Sequence, residues 1–107
     1  MKEFLELINK VNTNIKWITY KKADKVKAIF IKAVDKKYIY LLHKDDQYVF
    51  AFWTRNSFSP LSDAEVSEMI EINDLKQALV LNIENRIVKL NERTQKLYSV
   101  YNTILTN

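Results

Sequence analysis

VKAIFIKAVDKKYIYLLHKDDQYVFAFWT, residues 26–54, decides the fold of this 107-residue chain. It holds three runs rich in β-branched and aromatic residues, which predict strands at about 26–34, 38–44 and 47–54. The gaps between them are Asp35-Lys36 and Asp45-Asp46, and aspartate tolerates turn geometry. Because connections this short leave no room for a crossover, the strands are predicted to be antiparallel neighbours.

The elements on the N-terminal side continue this pattern. Residues 16–22 predict a further strand, joined to the next by a two-residue turn at Ala23-Asp24, so the sheet is a four-stranded meander. An amphipathic helix is predicted over residues 2–12 from apolar side chains at helical spacing, which are Phe4, Leu5, Leu7, Ile8 and Val11.

The C-terminal side is predicted to be helical. Residues 56–60 are interpreted as a connection, and Ser62 with Glu65 three residues later is a capping-box pattern that predicts a short helix over 63–71. A second capping signal at Asp74 predicts a long helix over 75–105. The expected fold is α+β, one domain of residues 1–107 with strands in 16–54 and helices in 62–105.

The long helix carries an apolar heptad seam, which has two interpretations. One is a homodimer that pairs two copies of this helix, and the other is packing across the chain's own sheet. The residues predicted for dimerisation are Ile83, Ile87, Leu90, Leu97 and Tyr101.

The residue types that are missing argue against an enzyme. The chain has no Gly, no Cys, one Pro and one His. Phosphate-binding loops need glycine, and a structural zinc site needs four Cys or His ligands. We therefore expect no catalytic, metal or cofactor-binding residues and no cofactor. No apolar run approaches the roughly 18 residues that span a bilayer. The absence of cysteine and of a signal-peptide pattern predicts a cytoplasmic protein.

The charge is unevenly distributed along the chain. The net charge is +4, and residues 1–55 carry twelve Lys/Arg against six Asp/Glu, or +6, whereas residues 56–107 carry five against seven, or −2. Lysines that decorate the rim of a sheet are one interpretation, and an acidic partner such as nucleic acid is another. The residues predicted for nucleic-acid binding are Trp17, Lys21, Lys22, Lys25, Lys27, Lys32, Lys36 and Lys37.

Two-residue turns throughout would assign the strand residues to two faces. The first face is uniformly apolar and is predicted to lie against helices; it contains Ile18, Tyr20, Ile29, Ile31, Ala33, Tyr38, Tyr40, Leu42, Val49, Ala51 and Trp53. The second mixes aromatic rings with cations and contains Trp17, Thr19, Lys21, Ala28, Phe30, Lys32, Ile39, Leu41, His43, Tyr48, Phe50 and Phe52. The second face has three interpretations: an internal or homodimer core, a protein-binding surface, or a base-stacking platform.

These observations favour a non-catalytic protein-binding module, an inhibitor or adaptor. Its trial binding residues are Tyr48, Phe50, Phe52 and Trp53, because Trp and Tyr are enriched at interface hot spots. In size and layout the chain resembles small phage and mobile-element proteins, including inhibitors of host defence systems, which implies a host protein machine as the partner. The alternatives are a nucleic-acid-binding accessory protein and a structural homodimer.

Overall fold

The computed structural model describes residues 1–89 together with residues 103, 104 and 106. It has the predicted α+β class, with an N-terminal helix, an antiparallel sheet and two further helices. The elements in chain order are α1 (Lys2–Val11), a 3-10 turn (Asn12–Asn14), β1 (Ile18–Tyr20), a 3-10 turn (Lys21–Ala23), β2 (Val26–Val34), β3 (Lys37–Lys44), β4 (Gln47–Trp53), β5 (Phe58–Pro60), α2 (Asp63–Met69) and α3 (Ile72–Lys89). The chain divides into two compact units, Met1 with Trp17–Glu71, and Lys2–Lys16 with Ile72–Asn107.

The sheet has five strands in the order β1-β2-β3-β4-β5, all antiparallel. The four-strand prediction was wrong because β5, which pairs with the end of β4, lies in the segment interpreted as a connection. Pro60 is compatible with β5 because an edge strand has one side without sheet partners, so its missing N–H costs no ladder hydrogen bond. The strand is three residues long, too short for a period-two pattern.

Two of the three turns have the predicted length. Asp35-Lys36 and Asp45-Asp46 each connect strands paired directly across the turn, and all four residues have positive φ, between 46° and 67°. Two positive-φ residues in a two-residue loop are the signature of a type I′ turn. The first turn differs: five residues, 21–25, connect β1 to β2 through a 3-10 turn and two more positive-φ residues.

A β-bulge in β2 reverses the face assignment of that strand. Phe30 pairs with Tyr40 and Lys32 with Ile39, so the ladder gains one unpaired residue, Ile31. Beyond the bulge Ile29 lies opposite Leu41 instead of Leu42. The predicted faces were therefore wrong for most of β2. The longer β1–β2 connection shifts the register by one residue in the opposite direction. As predicted, Ile18 on β1 therefore lies on the same face as Leu42 on β3.

The sheet buries the face that was predicted to be mixed. Ile29, Leu41 and Phe50 lie side by side on β2, β3 and β4, and all are buried, as is Ile39. Phe50 is 2% exposed and Leu41 is fully buried. The prediction that the other face lies against helices was wrong, because that face exposes large apolar side chains. Leu61, Val66 and Ile70 are further buried residues of this unit.

Helix α2 begins with the predicted capping box. The Glu65 backbone N–H donates to the Ser62 hydroxyl over 3.2 Å, and the Ser62 backbone N–H donates to the Glu65 carboxylate over 3.1 Å. These hydrogen bonds with Ser62, aided by nearby Lys37, lower the pKa of the Glu65 carboxyl. The helix ends at Met69, two residues before the predicted end.

In the other unit, α1 packs against α3. The Asn82 amide on α3 holds the backbone of Lys16 from both sides: it accepts from the Lys16 N–H over 2.8 Å and donates to the Lys16 carbonyl over 3.1 Å. Helix α3 begins at Ile72, three residues before the predicted start. Of the predicted dimerisation residues, Ile83 is fully buried within the chain. The Ile87 side chain and Leu90, Leu97 and Tyr101 lie outside the described residues.

Candidate functional site: a concave aromatic face

One face of the sheet carries six aromatic rings over a floor of small residues. We call it the aromatic face, and its rings belong to Tyr20, Phe30, Tyr38, Tyr40, Trp53 and Phe58. Ala28 on β2 and Ala51 on β4 are fully buried and occupy the same face. Because alanine leaves space above these strands, rings from β1, β3 and β5 can meet over them.

The central rings form a triangle. The ring centroids of Tyr20, Tyr40 and Phe58 are 5.6 Å (Tyr20–Tyr40), 5.2 Å (Tyr40–Phe58) and 5.4 Å (Tyr20–Phe58) apart, and all three pairs are edge-to-face. Trp53 packs on Phe58 at 4.7 Å, and Phe30 on Tyr40 at 5.5 Å. Edge-to-face contacts match the positive edge of one ring to the negative face of the next.

These distances show that the aromatic face is concave. Strands in a flat sheet are about 4.8 Å apart, so β1 and β5 would be separated by about 19 Å. Tyr20 on β1 and Phe58 on β5 nevertheless bring their ring centroids to 5.4 Å. The sheet therefore curls toward this face, and the bulge at Ile31 supplies a local bend and added twist.

The concave face remains accessible. Tyr38 is 53% exposed, Ile18 51% and Phe30 48%, while Tyr20, Tyr40, Trp53 and Phe58 are half-buried. With about 200 Å² for a whole large apolar side chain, these residues expose on the order of 450 Å². An apolar patch of that size lies within the range of the largest patch on a typical monomer, about 300–600 Å², and such a patch is often functional.

A groove of about 200 Å³ opens at the end of the aromatic face nearest the β1–β2 and β3–β4 connections. Its apolar walls are Val26, Leu42, Val49, Phe58 and Pro60. Asp24 and Lys44 also line it and provide one charge of each sign. Within the described sheet, Lys44 is the one charged side chain at a register position of the aromatic face.

Tyr20 is half-buried, and its ring contacts those of Tyr40, Trp53 and Phe58. Burial, together with a hydrogen bond to Tyr40, raises the pKa of Tyr20 from 10.0 to about 12. Because the folded pKa is the higher one, this contribution to stability is fully present below about pH 10. It is lost as the pH rises from 10 toward 12.

We predict that Tyr20→Phe removes the ionisation of a tyrosine at about pH 12. Absorbance titration of the phenolate checks this, with Tyr38→Phe as a control that leaves the Tyr20–Tyr40 pair intact. An unchanged alkaline step in Tyr20→Phe would contradict the raised pKa of Tyr20.

The predicted protein-binding residues divide between the two faces. Only Trp53 belongs to the aromatic face. Phe50 is a core residue and is not accessible to a partner. Phe52 is half-buried on the core face, with the Lys37 Nζ 4.9 Å from its ring centroid. Tyr48 is half-buried and stacks with His43 at 4.7 Å and with Trp17 at 6.1 Å.

The residues predicted for nucleic-acid binding do not form one patch. Lys21, Lys22 and Lys25 lie in the β1–β2 loop, and Lys27 follows at the same end of the sheet. Lys36 and Lys37 lie at the opposite end, at the β2–β3 turn, near half-buried Lys32. Trp17 packs with His43 at 5.2 Å.

Five rings of the candidate site were not among the predicted binding residues. The missed residues are Tyr20, Phe30, Tyr38, Tyr40 and Phe58. One signal in the sequence could have indicated this site. The predicted first face contains Tyr20, Tyr38 and Tyr40 together with Ala51, a small residue that leaves space for neighbouring rings. Phe58 could not be placed without β5.

No family profile, no curated protein and no solved structure matches this chain. The site is therefore interpreted from its own chemistry. Within the described residues no helix is long and apolar enough to cross a membrane, and no three His, Asp or Glu side chains converge on a metal position.

Proposed function

We propose that this chain is a non-catalytic protein-binding module, an inhibitor or adaptor, that engages its partner through the aromatic face. The observation that carries the proposal is a concave, accessible surface of six contacting rings. Trp and Tyr supply a large apolar area with few rotatable bonds, which is why they dominate protein-binding hot spots.

The size of the surface supports a regulated or reversible contact. A standard interface buries about 800 Å² per partner, of which a little over half is apolar. The aromatic face supplies roughly that apolar share, about 450 Å². An obligate interface is larger and more apolar.

The ring geometry favours a protein partner over nucleic acid, the alternative function. Bases bind by stacking on open ring faces. In the central triangle all three ring pairs are edge-to-face, so these rings already contact one another and are not arranged as parallel open faces. The lysines also lie at the two ends of the sheet, so they do not form a continuous track for phosphates alongside the rings.

The test is affinity purification from cells of the source with three versions of the chain. We expect the wild type and Leu81→Ala to retain the same partner, and Phe30→Ala/Tyr38→Ala to bind it at least about tenfold more weakly. Leu81 is the matched control because it is an apolar residue on α3 that is at least as exposed, at 62%, as Phe30 and Tyr38. A folded Phe30→Ala/Tyr38→Ala protein with full affinity would contradict the proposal.

A further inference from the structure

We infer that the partner presents an acidic, apolar segment to the aromatic face. One aliphatic or aromatic side chain enters the groove beside Leu42 and Val49, and neighbouring carboxylates lie against Lys44 and the lysines of the β1–β2 loop. This inference rests on the proposed function and adds the chemistry of the partner.

The groove has the size and lining for one apolar side chain. Its volume is about 200 Å³, and an apolar cavity of about 150 Å³ accommodates a benzene ring. Val26, Leu42, Val49 and Phe58 supply apolar walls. A side chain that enters exchanges contact with water for contact with these walls, which is favourable.

The charge around the groove selects the sign of the partner. At the groove's end of the sheet, residues 21–27 and 43–47 carry five Lys against three Asp, a net charge of +2. The whole sheet region, residues 17–60, has nine Lys/Arg and four Asp, a net charge of +5. Three lysines lie in the five-residue β1–β2 loop, and Lys44 lines the groove itself. Charge complementarity across an interface steers association and excludes partners of the wrong sign.

The same charge argues against a second copy of this chain as the occupant. Two aromatic faces in contact would bring together two sheet regions that each carry +5. Like charges at an interface oppose association. An acidic segment lowers this electrostatic cost, whereas a second copy raises it.

The two charged residues of the groove allow a sharp test. We expect Lys44→Glu to weaken binding of an acidic peptide severalfold and Asp24→Asn to strengthen it about twofold, because the first variant adds negative charge and the second removes it. Asn tolerates the positive φ of Asp24, 56°, as well as Asp does. Both residues line the same groove, so a purely steric effect would not give opposite signs.

The probe is a displayed library of random peptides selected on the intact chain. We expect enriched peptides that combine Asp or Glu with an apolar residue, and affinity that falls when their carboxylates are replaced by amides. The affinity of the most tightly binding peptide is then measured for the variants Lys44→Glu, Asp24→Asn and Phe30→Ala/Tyr38→Ala.

Each of the other outcomes contradicts either the acidic partner or the proposed function. Enriched basic or neutral peptides that still lose affinity with Phe30→Ala/Tyr38→Ala overturn the acidic partner and leave the proposed function in place. Enriched peptides that bind Phe30→Ala/Tyr38→Ala with the same affinity as the wild type overturn the proposed function. A single-stranded oligonucleotide that binds the wild type and is weakened by Lys44→Glu would replace the protein partner with nucleic acid. A library without enriched peptides overturns both proposals.

Discussion

Phe50→Ala is expected to lower the free energy of unfolding by about 3–5 kcal/mol, the cost of removing a fully packed phenylalanine from a core. Phe50 is 2% exposed and lies beside Leu41, which is fully buried. Small domains are stable by about 5–15 kcal/mol, so this one substitution removes a large fraction of the total. Denaturant unfolding followed by circular dichroism measures the change.

The matched control is Phe30→Ala, two strands away on the other face. Phe30 is 48% exposed and contacts the rings of Tyr38 and Tyr40 at 6.3 and 5.5 Å. Its removal is expected to cost about 1 kcal/mol, the value of an aromatic pair at a partly exposed site. Phe50→Leu keeps most of the buried volume. It provides a second measurement in case the Phe50→Ala protein does not fold.

This comparison also tests the β-bulge at Ile31. Two-residue turns without a bulge would place Phe30 and Phe50 on the same face, as the sequence pattern predicts. The structure places them on opposite faces because the bulge shifts the register by one residue. Equal costs for the two alanine variants would contradict the bulge.

The sequence predicted the sheet well where the alternation of residues along two strands and the length of the turn between them indicate the same register. In β3 and β4, apolar and polar or aromatic residues alternate around the predicted two-residue turn at Asp45-Asp46. That turn is confirmed, and it places Leu42 opposite Val49. The capping box at Ser62 was also predictable, because it depends on two residues three positions apart. Both features are local.

The bulge could not be predicted from the pattern of β2. Residues 28–31 read AIFI, four apolar residues in succession. Such a run offers no period-two contrast, so either register buries apolar side chains and the pattern does not choose between them. The surrounding strands choose the register through packing, a tertiary effect.

The candidate site depends on that same tertiary effect. Trp53 was predicted as a binding residue, but its neighbours Tyr20 and Phe58 lie on the first and last strands. They meet because the sheet curls, and curvature is not encoded in the spacing of any one strand. Strict alternation of residues between two faces describes a flat sheet, in which the first and last strands are far apart. It therefore does not predict contacts between residues that the curled sheet brings together.

Glycine in the two type I′ turns is expected to stabilise the chain, although its own sequence contains none. Lys36 has φ of 67° and Asp46 has φ of 60°. The left-handed region costs an L-residue roughly 1–2 kcal/mol, least for Asp and Asn, and glycine enters it freely. Lys36→Gly and Asp46→Gly both create the Asp-Gly pair that type I′ turns prefer.

The gain is the difference between two effects. Glycine relieves the backbone strain of the folded turn, but it also gives the unfolded chain more conformations to lose. We expect a net gain of about 1 kcal/mol for each substitution and about 2 kcal/mol for the pair, since the turns lie at opposite ends of the sheet and their effects should add. Thermal unfolding measures this as a rise of roughly 4–8 °C per kcal/mol.

Alanine at the same positions separates backbone strain from side-chain charge. Lys36→Ala and Asp46→Ala remove the same charges as the glycine variants but retain the Cβ that makes positive φ costly. They are expected to leave stability unchanged or lower it. An equal rise in the melting temperature for Lys36→Ala and Lys36→Gly would mean that relief of charge repulsion is the cause and that the turn is not strained. A glycine effect alone would show that these turns hold the strands that carry Tyr38, Tyr40 and Trp53 in place against a local conformational cost.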